Sequence, residues 1–142
     1  ATVMQTAGNR VGISICYEMI FPDLIRQAVK NGANFLVNIT NDAWFGKSPA
    51  SYQHRSMGVL RAVENRVSIV RAANTGISGT IEASGKLRDE TQLFTEEFRV
   101  TQITPATGGK TFYSLNGDIF SWVCLLVTVL IAITARRGIN EL

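Results

Sequence analysis

The sequence predicts an α/β fold built on a mixed sheet, and three observations predict it. Short apolar runs at Val11–Ile15, Asn34–Ile39 and Val67–Val70 read as buried strands. Segments of helical period at Pro22–Asn31 and Ser51–Asn65 separate them, which is the alternation of βαβ units. A turn-rich stretch after Ile77 then adds antiparallel pairing.

Each element has a local reason. Val11-Gly12-Ile13-Ser14-Ile15 runs into Cys16 as a short buried strand. Pro22 suits the first turn of the next helix, because its missing N–H has no helical partner there, and Gly32 suits the position past its end. Leu24, Ile25, Ala28 and Val29 place apolar groups on one face. Asn34–Ile39 is the returning strand. Thr40–Pro49 is a polar loop carrying Trp44 and Phe45. Ser51–Asn65 is a second helix, with Met57, Leu60 and Val63 expected to face inward. Val67–Val70 is a third strand. Ile77–Ile81 and Gly85–Arg88 form a hairpin around Ala83-Ser84-Gly85-Lys86, Val100–Thr104 is a further strand, and Thr107–Asn116 is a loop.

Ile119–Ala135 contains no charged residue. As a helix at ~1.5 Å per residue it spans roughly 26 Å, close to a bilayer's hydrocarbon core of about 30 Å. A helix without a polar face needs protein on all sides or lipid, and a chain of 142 residues hardly supplies the first. Phe120 and Trp122 lie near one end, as aromatic belts do, and Arg136-Arg137 close the other. Positive charge favours the cytoplasmic side. The tail 136–142 is therefore expected in the cytoplasm and residues 1–118 across the membrane. The net charge of +3 is mild, and no basic cluster with interleaved aromatics points to nucleic acid. Two cysteines, one in the globular part and one in the apolar run, make no disulfide framework. The chain opens at Ala1 without an initiator methionine or targeting segment, and is expected to be part of a longer protein.

Cys16 carries the chemical signal. A thiol at a strand-to-helix junction can be held on a sharp turn with its sulfur in a pocket, where a nearby base or helix start raises its thiolate fraction. The alternative is a small buried core residue. Tyr17 offers a backbone N–H beside the nucleophile as an oxyanion donor, or a ring as pocket wall. Glu18 is a pocket carboxylate or a charge favoured at a helix start. Trp44 and Phe45 are ligand or membrane contacts, or simple packing. Asn41 and Asp42 read as turn and cap residues. Arg61, Glu64 and Arg66 read as a solvated or salt-bridged helix face, with Glu64 against Arg71 as the buried variant. The lone His54 has no ligand cluster around it, so no metal site is expected.

Ile15-Cys16-Tyr17-Glu18 resembles the nucleophile segment of the nitrilase, or carbon–nitrogen hydrolase, superfamily. Asn38-Ile39-Thr40-Asn41-Asp42-Ala43-Trp44-Phe45-Gly46, Gln53-His54, Arg61 to Arg66, and Arg71 to Ser78 resemble its apolipoprotein N-acyltransferase branch, in order. So does Tyr113–Phe120, where Gly117-Asp118 leads into the apolar run.

The resemblance implies the C-terminal portion of an αββα sandwich at 1–118, one transmembrane helix at 119–135, and the tail at 136–142. It implies a monomer in the inner membrane with its catalytic part facing the periplasm. The implied activity needs no cofactor. A phospholipid is the acyl donor, a cysteine thioester the intermediate, and the amine of a diacylglyceryl-cysteine lipoprotein the acceptor. Cys16 matches the nucleophile of a Glu–Lys–Cys triad. Lys30, Lys47, Lys86 and Lys110 all follow Cys16, so none matches the triad lysine, and the chain alone is expected to be inactive. An amidase of the same superfamily and a non-catalytic membrane-anchored fragment are the rival readings.

Overall fold

The computed structural model describes residues 2–140, with side chains described for 2–136. A six-stranded mixed sheet has its strands in chain order: β1 (Thr2–Thr6), β2 (Asn9–Ile15), β3 (Phe35–Asn41), β4 (Ser68–Asn74), β5 (Gly79–Ile81) and β6 (Leu87–Arg88). β2, β3 and β4 are parallel, and the outer strands pair antiparallel. Helix α1 (Pro22–Lys30) connects β2 to β3, and α2 (Ala50–Asn65) connects β3 to β4. The expected βαβ units are therefore present, with Pro22 opening α1 and Gly32 just past its end at φ 99°.

The core lies between the helices and one face of the sheet. Ile25, Ala28 and Val29 of α1 pack with Leu36 of β3 and Ile69 of β4. Gly12 lets α1 approach: a Cβ there would stand 2.5 Å from Leu36 Cδ2 and 3.1 Å from Ala28 Cβ. Burying these side chains contributes about 1.5–3 kcal/mol for each large aliphatic group.

Several details differ from the sequence reading. β1 was not expected. It pairs with β2 through a turn at Ala7 and Gly8, both at positive φ. Met57, Leu60 and Val63 do not face inward but are exposed. The buried stripe of α2 is Ser51, His54, Gly58, Arg61, Ala62 and Asn65; His54 meets Asp42 and Arg71, while Arg61 and Asn65 bond Ile20 O and Ser114. Val100–Thr104 pairs with no strand and crosses the surface as irregular chain. The Thr107–Asn116 loop contains a short helix, α3 (Phe112–Asn116), capped by the Thr111 hydroxyl accepting from Ser114 N–H.

The apolar run forms α4 (Ile119–Asn140). Its Ile119–Arg136 window has the length and composition to cross a membrane and is 0% buried. Most of the predicted tail 136–142 lies outside the residues whose side chains are described.

α3 docks on the globular part by polar contacts. The Thr111 hydroxyl donates to Glu64 O at 2.6 Å, and the Ser114 hydroxyl to Asn65 Oδ1 at 2.9 Å. Arg61, expected on a solvated or salt-bridged face, is salt-bridged and buried. It donates to Ile20 O at 3.0 Å and to Glu64 Oε1 at 2.7 Å. Glu64 thus pairs with Arg61, not Arg71. Burial raises the Glu64 pKa, and Arg61 opposes the shift.

Candidate active site

Parallel sheets present ligand sites at the carboxyl ends of their strands, and Cys16 stands immediately past that end of β2. It opens a 3-10 turn, Cys16–Ile20, and its φ is +51°. A residue with a Cβ is disfavoured in this left-handed region by roughly 1–2 kcal/mol. The turn is capped from within: the Glu18 carboxylate accepts from Ile15 N–H at 2.7 Å. Glu18 therefore holds the shape of the turn. Tyr17 is the second residue of the turn, where a helix start leaves backbone N–H groups without helical partners.

The register of the sheet explains what lies beside the turn. Ser14, Asn38 and Arg71 are direct neighbours across β2, β3 and β4. Two residues earlier, the same face carries Gly12, Leu36 and Ile69, so it changes from apolar to polar as the strands approach their carboxyl ends. All three side chains of the polar row are buried.

Asn38 donates from Nδ2 to Ser14 O at 3.3 Å, Ser14 Oγ at 3.2 Å and Cys16 O at 3.3 Å. Its Oδ1 accepts from Arg71 Nη1 at 2.6 Å. Arg71 also donates from Nε to Ile77 O at 3.1 Å and from Nη2 to Asp42 Oδ2 at 2.7 Å. Burial lowers the Arg71 pKa, and the Asp42 carboxylate opposes that shift.

Asp42 lies just beyond β3 and is 1% exposed. Its Oδ1 receives the Thr40 hydroxyl at 3.1 Å and faces His54 Nδ1 at 3.1 Å. The same nitrogen is 3.2 Å from Arg71 Nη2. A carboxylate only accepts and a guanidinium only donates, so Nδ1 of a neutral ring satisfies one of them at a time. Nε2 is buried and has no hydrogen-bond partner. Burial lowers the His54 pKa first, and the Arg71 charge second. Asp42 and the Cys16 backbone pull the other way. The ring is therefore neutral at neutral pH.

The aromatic candidates divide. Tyr17 and Phe45 close over His54, with ring centroids 5.6 and 5.7 Å away. Trp44 points away and is 85% exposed. Sequence reasoning identified Cys16, Tyr17, Glu18 and Phe45 but missed the Asn38–Arg71–Asp42–His54 network. The available signal was period-two spacing: Asn38, Thr40 and Asp42 share one side of an otherwise apolar strand. Among the described residues, no group of three or more His, Cys, Asp or Glu side chains could hold a metal ion.

Comparison with known proteins gives the family and the fold. Curated relatives named apolipoprotein N-acyltransferase include one from Geobacter metallireducens, 48% identical over 94% of this chain and 26% of its own length. Another from Treponema denticola is 37% identical over 92% of this chain and 24% of its own length. The chain thus spans about a quarter of these relatives. Among solved structures, a carbon–nitrogen hydrolase from Helicobacter pylori superposes with a TM-score of 0.59 at 12% identity, covering 63% of this chain and 39% of that one. Saccharomyces cerevisiae Nit3, a nitrilase-superfamily member, superposes with a TM-score of 0.56 at 23% identity, covering 67% and 38%. These likenesses establish the nitrilase fold. The carbon–nitrogen hydrolase family model matches residues 1–113, and the chain belongs to that family.

Proposed function

We propose that this chain is the nucleophile-bearing C-terminal part of an apolipoprotein N-acyltransferase. The observation that carries the reading is Cys16 at φ +51° past the end of a central parallel strand, in a chain whose curated relatives bear that name. The apolar helix α4 supports a membrane substrate.

In this reading the Cys16 thiolate attacks the ester carbonyl of a phospholipid. A thioester forms, the ester C–O bond breaks, and a lysophospholipid leaves as its oxygen takes a proton. The amine of a diacylglyceryl-cysteine lipoprotein then attacks the thioester. An amide forms, the C–S bond breaks, the amine's proton passes to the general base, and the thiolate returns. A thiolate suits both halves, being a strong nucleophile and a good leaving group. The Tyr17 N–H is the oxyanion donor, and Phe45 and Trp44 contact lipid. The general base and lysine come from upstream sequence. Residues 1–118 form the catalytic part on the periplasmic side, 119–135 cross the inner membrane, and 136–142 are cytoplasmic. Amide hydrolysis is the second reading, and α4 favours the lipid substrate over it.

The test is mass spectrometry of acyl-enzyme in the full-length protein after incubation with phospholipid. Wild type and Cys124→Ala acquire one acyl chain, while Cys16→Ala and Cys16→Ser acquire none. The isolated chain also stays unmodified, lacking the base. Acylation of Cys16→Ala at the wild-type level overturns the assignment. Release of free fatty acid without amide formation selects the hydrolase reading.

A further inference from the structure

We propose that Asn38 is a positioning residue for the Cys16 nucleophile, acting through the Cys16 backbone, and that Arg71 fixes the orientation in which Asn38 does so. The proposal rests on the reading of Cys16 as nucleophile.

The argument begins with the strain. Cys16 is held in the left-handed region, which persists only where surrounding groups over-determine it. The Asn38 side chain bonds the Cys16 carbonyl, and the same amide nitrogen bonds Ser14 O and Ser14 Oγ. One buried NH₂ group therefore ties the last turn of strand β2 to the first residue of the 3-10 turn. Rotation of the Cys16 peptide out of its left-handed conformation breaks that tie.

Asn38 is itself held. An amide can present either its oxygen or its nitrogen to a given neighbour. Turning the Asn38 amide over brings its NH₂ against the Arg71 guanidinium, donor against donor, in a fully buried site. Arg71 cannot move aside, because Nε is bonded to Ile77 O and Nη2 to Asp42. Only the orientation that aims Nδ2 at Cys16 O satisfies the guanidinium.

The consequence is specific to the chemistry. Without Asn38 the thiol is still present and still ionises, but it no longer stands where the acyl carbonyl arrives. Misplacing a reacting group by about 1 Å can cost about 100-fold in rate.

The test uses the full-length protein with phospholipid as donor. Asn38→Ala removes the tie. Asn38→Asp keeps the size and the Arg71 contact but has no donor for Cys16 O. Thr80→Val, which removes a buried hydroxyl bonded to Thr101, is the stability control. Both Asn38 variants lose about 100-fold in the maximal rate of Cys16 acylation with little change in the phospholipid KM. Alkylation of the Cys16 thiol by iodoacetamide at high pH stays within about threefold of wild type for Asn38→Ala. Thr80→Val keeps its acylation rate within about threefold. Wild-type acylation by Asn38→Ala overturns the proposal, and so does an equal loss in Thr80→Val. Acylation persisting in Cys16→Ala overturns the underlying reading instead, so the two failures are distinguishable.

Discussion

The Arg71 guanidinium donates to the Asp42 carboxylate at 2.7 Å, and the two side chains are 3% and 1% exposed. They come from adjacent parallel strands, Arg71 within β4 and Asp42 just past β3. The pair stands between the Cys16 turn, reached through Asn38, and the His54 ring.

Removing either charge leaves the other buried and alone. Asp42→Asn and Arg71→Met should each destabilise the protein by about 3–5 kcal/mol. The double variant should lose less than the sum, because neighbouring groups couple. Denaturant midpoints of the four proteins measure the coupling. Additive losses mean that the pair is not a unit.

Gly76 guards the same pair from outside. A Cβ built on it lies 2.5 Å from Asp42 Oδ2 and 2.8 Å from Asp42 Cβ, with no room for either to yield. Gly76→Ala should therefore displace Asp42 and cost about 1–3 kcal/mol by overpacking. Gly108→Ala, where nothing lies within 4 Å, is the control and should be near neutral. Thermal melts of the two variants decide the matter.

The buried His54 makes a prediction about acid. Its folded pKa lies below the ordinary value of 6.5, chiefly through burial. Above 6.5 the ring is neutral whether folded or unfolded, and pH has no effect through it. As pH falls below 6.5, the unfolded ring takes a proton that the folded ring resists, so stability declines until the folded pKa is passed. Between about pH 7.5 and about pH 5.5 the wild-type melting temperature should fall more than that of His54→Gln. Equal falls mean that His54 is not the titrating group.

The direction of α4 is open to a topology reporter. A cytoplasm-active reporter fused to the C-terminus should work, and one active only in the periplasm should be silent. The opposite pattern reverses the orientation proposed from Arg136-Arg137.

How much of this was legible in the sequence depends on the range of the interaction. The β2–α1–β3 unit was readable because its signals are local: an apolar run, Pro22, one apolar helix face and Gly32. The place of Cys16 just past β2 was readable for the same reason. Helix α2 misled because Met57, Leu60 and Val63 look like a core stripe. Its buried face instead meets Asp42, Arg71, Ile20 O and Ser114, all distant in sequence. The salt bridge of Arg61 to Glu64 was readable, but its burial was not, since its other partner, Ile20 O, is 41 residues away in sequence. Asp42 was read as a cap because the chain says nothing of a guanidinium in β4. Strand Val100–Thr104 failed because alternation alone does not supply a neighbour to pair with.

The docking of α3 has a consequence for how far the thiol stands from lipid. From α3, hydrogen bonds run on to the Cys16 turn. Ser114 holds Asn65, Asn65 donates back to Arg61 O, and Arg61 donates to Ile20 O at the end of the Cys16 turn. Gly117, at φ 71°, is the one joint between this chain and α4, and the Arg26 side chain crowds it. The Cys16 turn is thereby tethered to the residues at the foot of α4, like a bracket bolted to a post. In the proposed reaction, that tether keeps the thiol close to the leaflet from which an ester donor comes, before any side chain touches it.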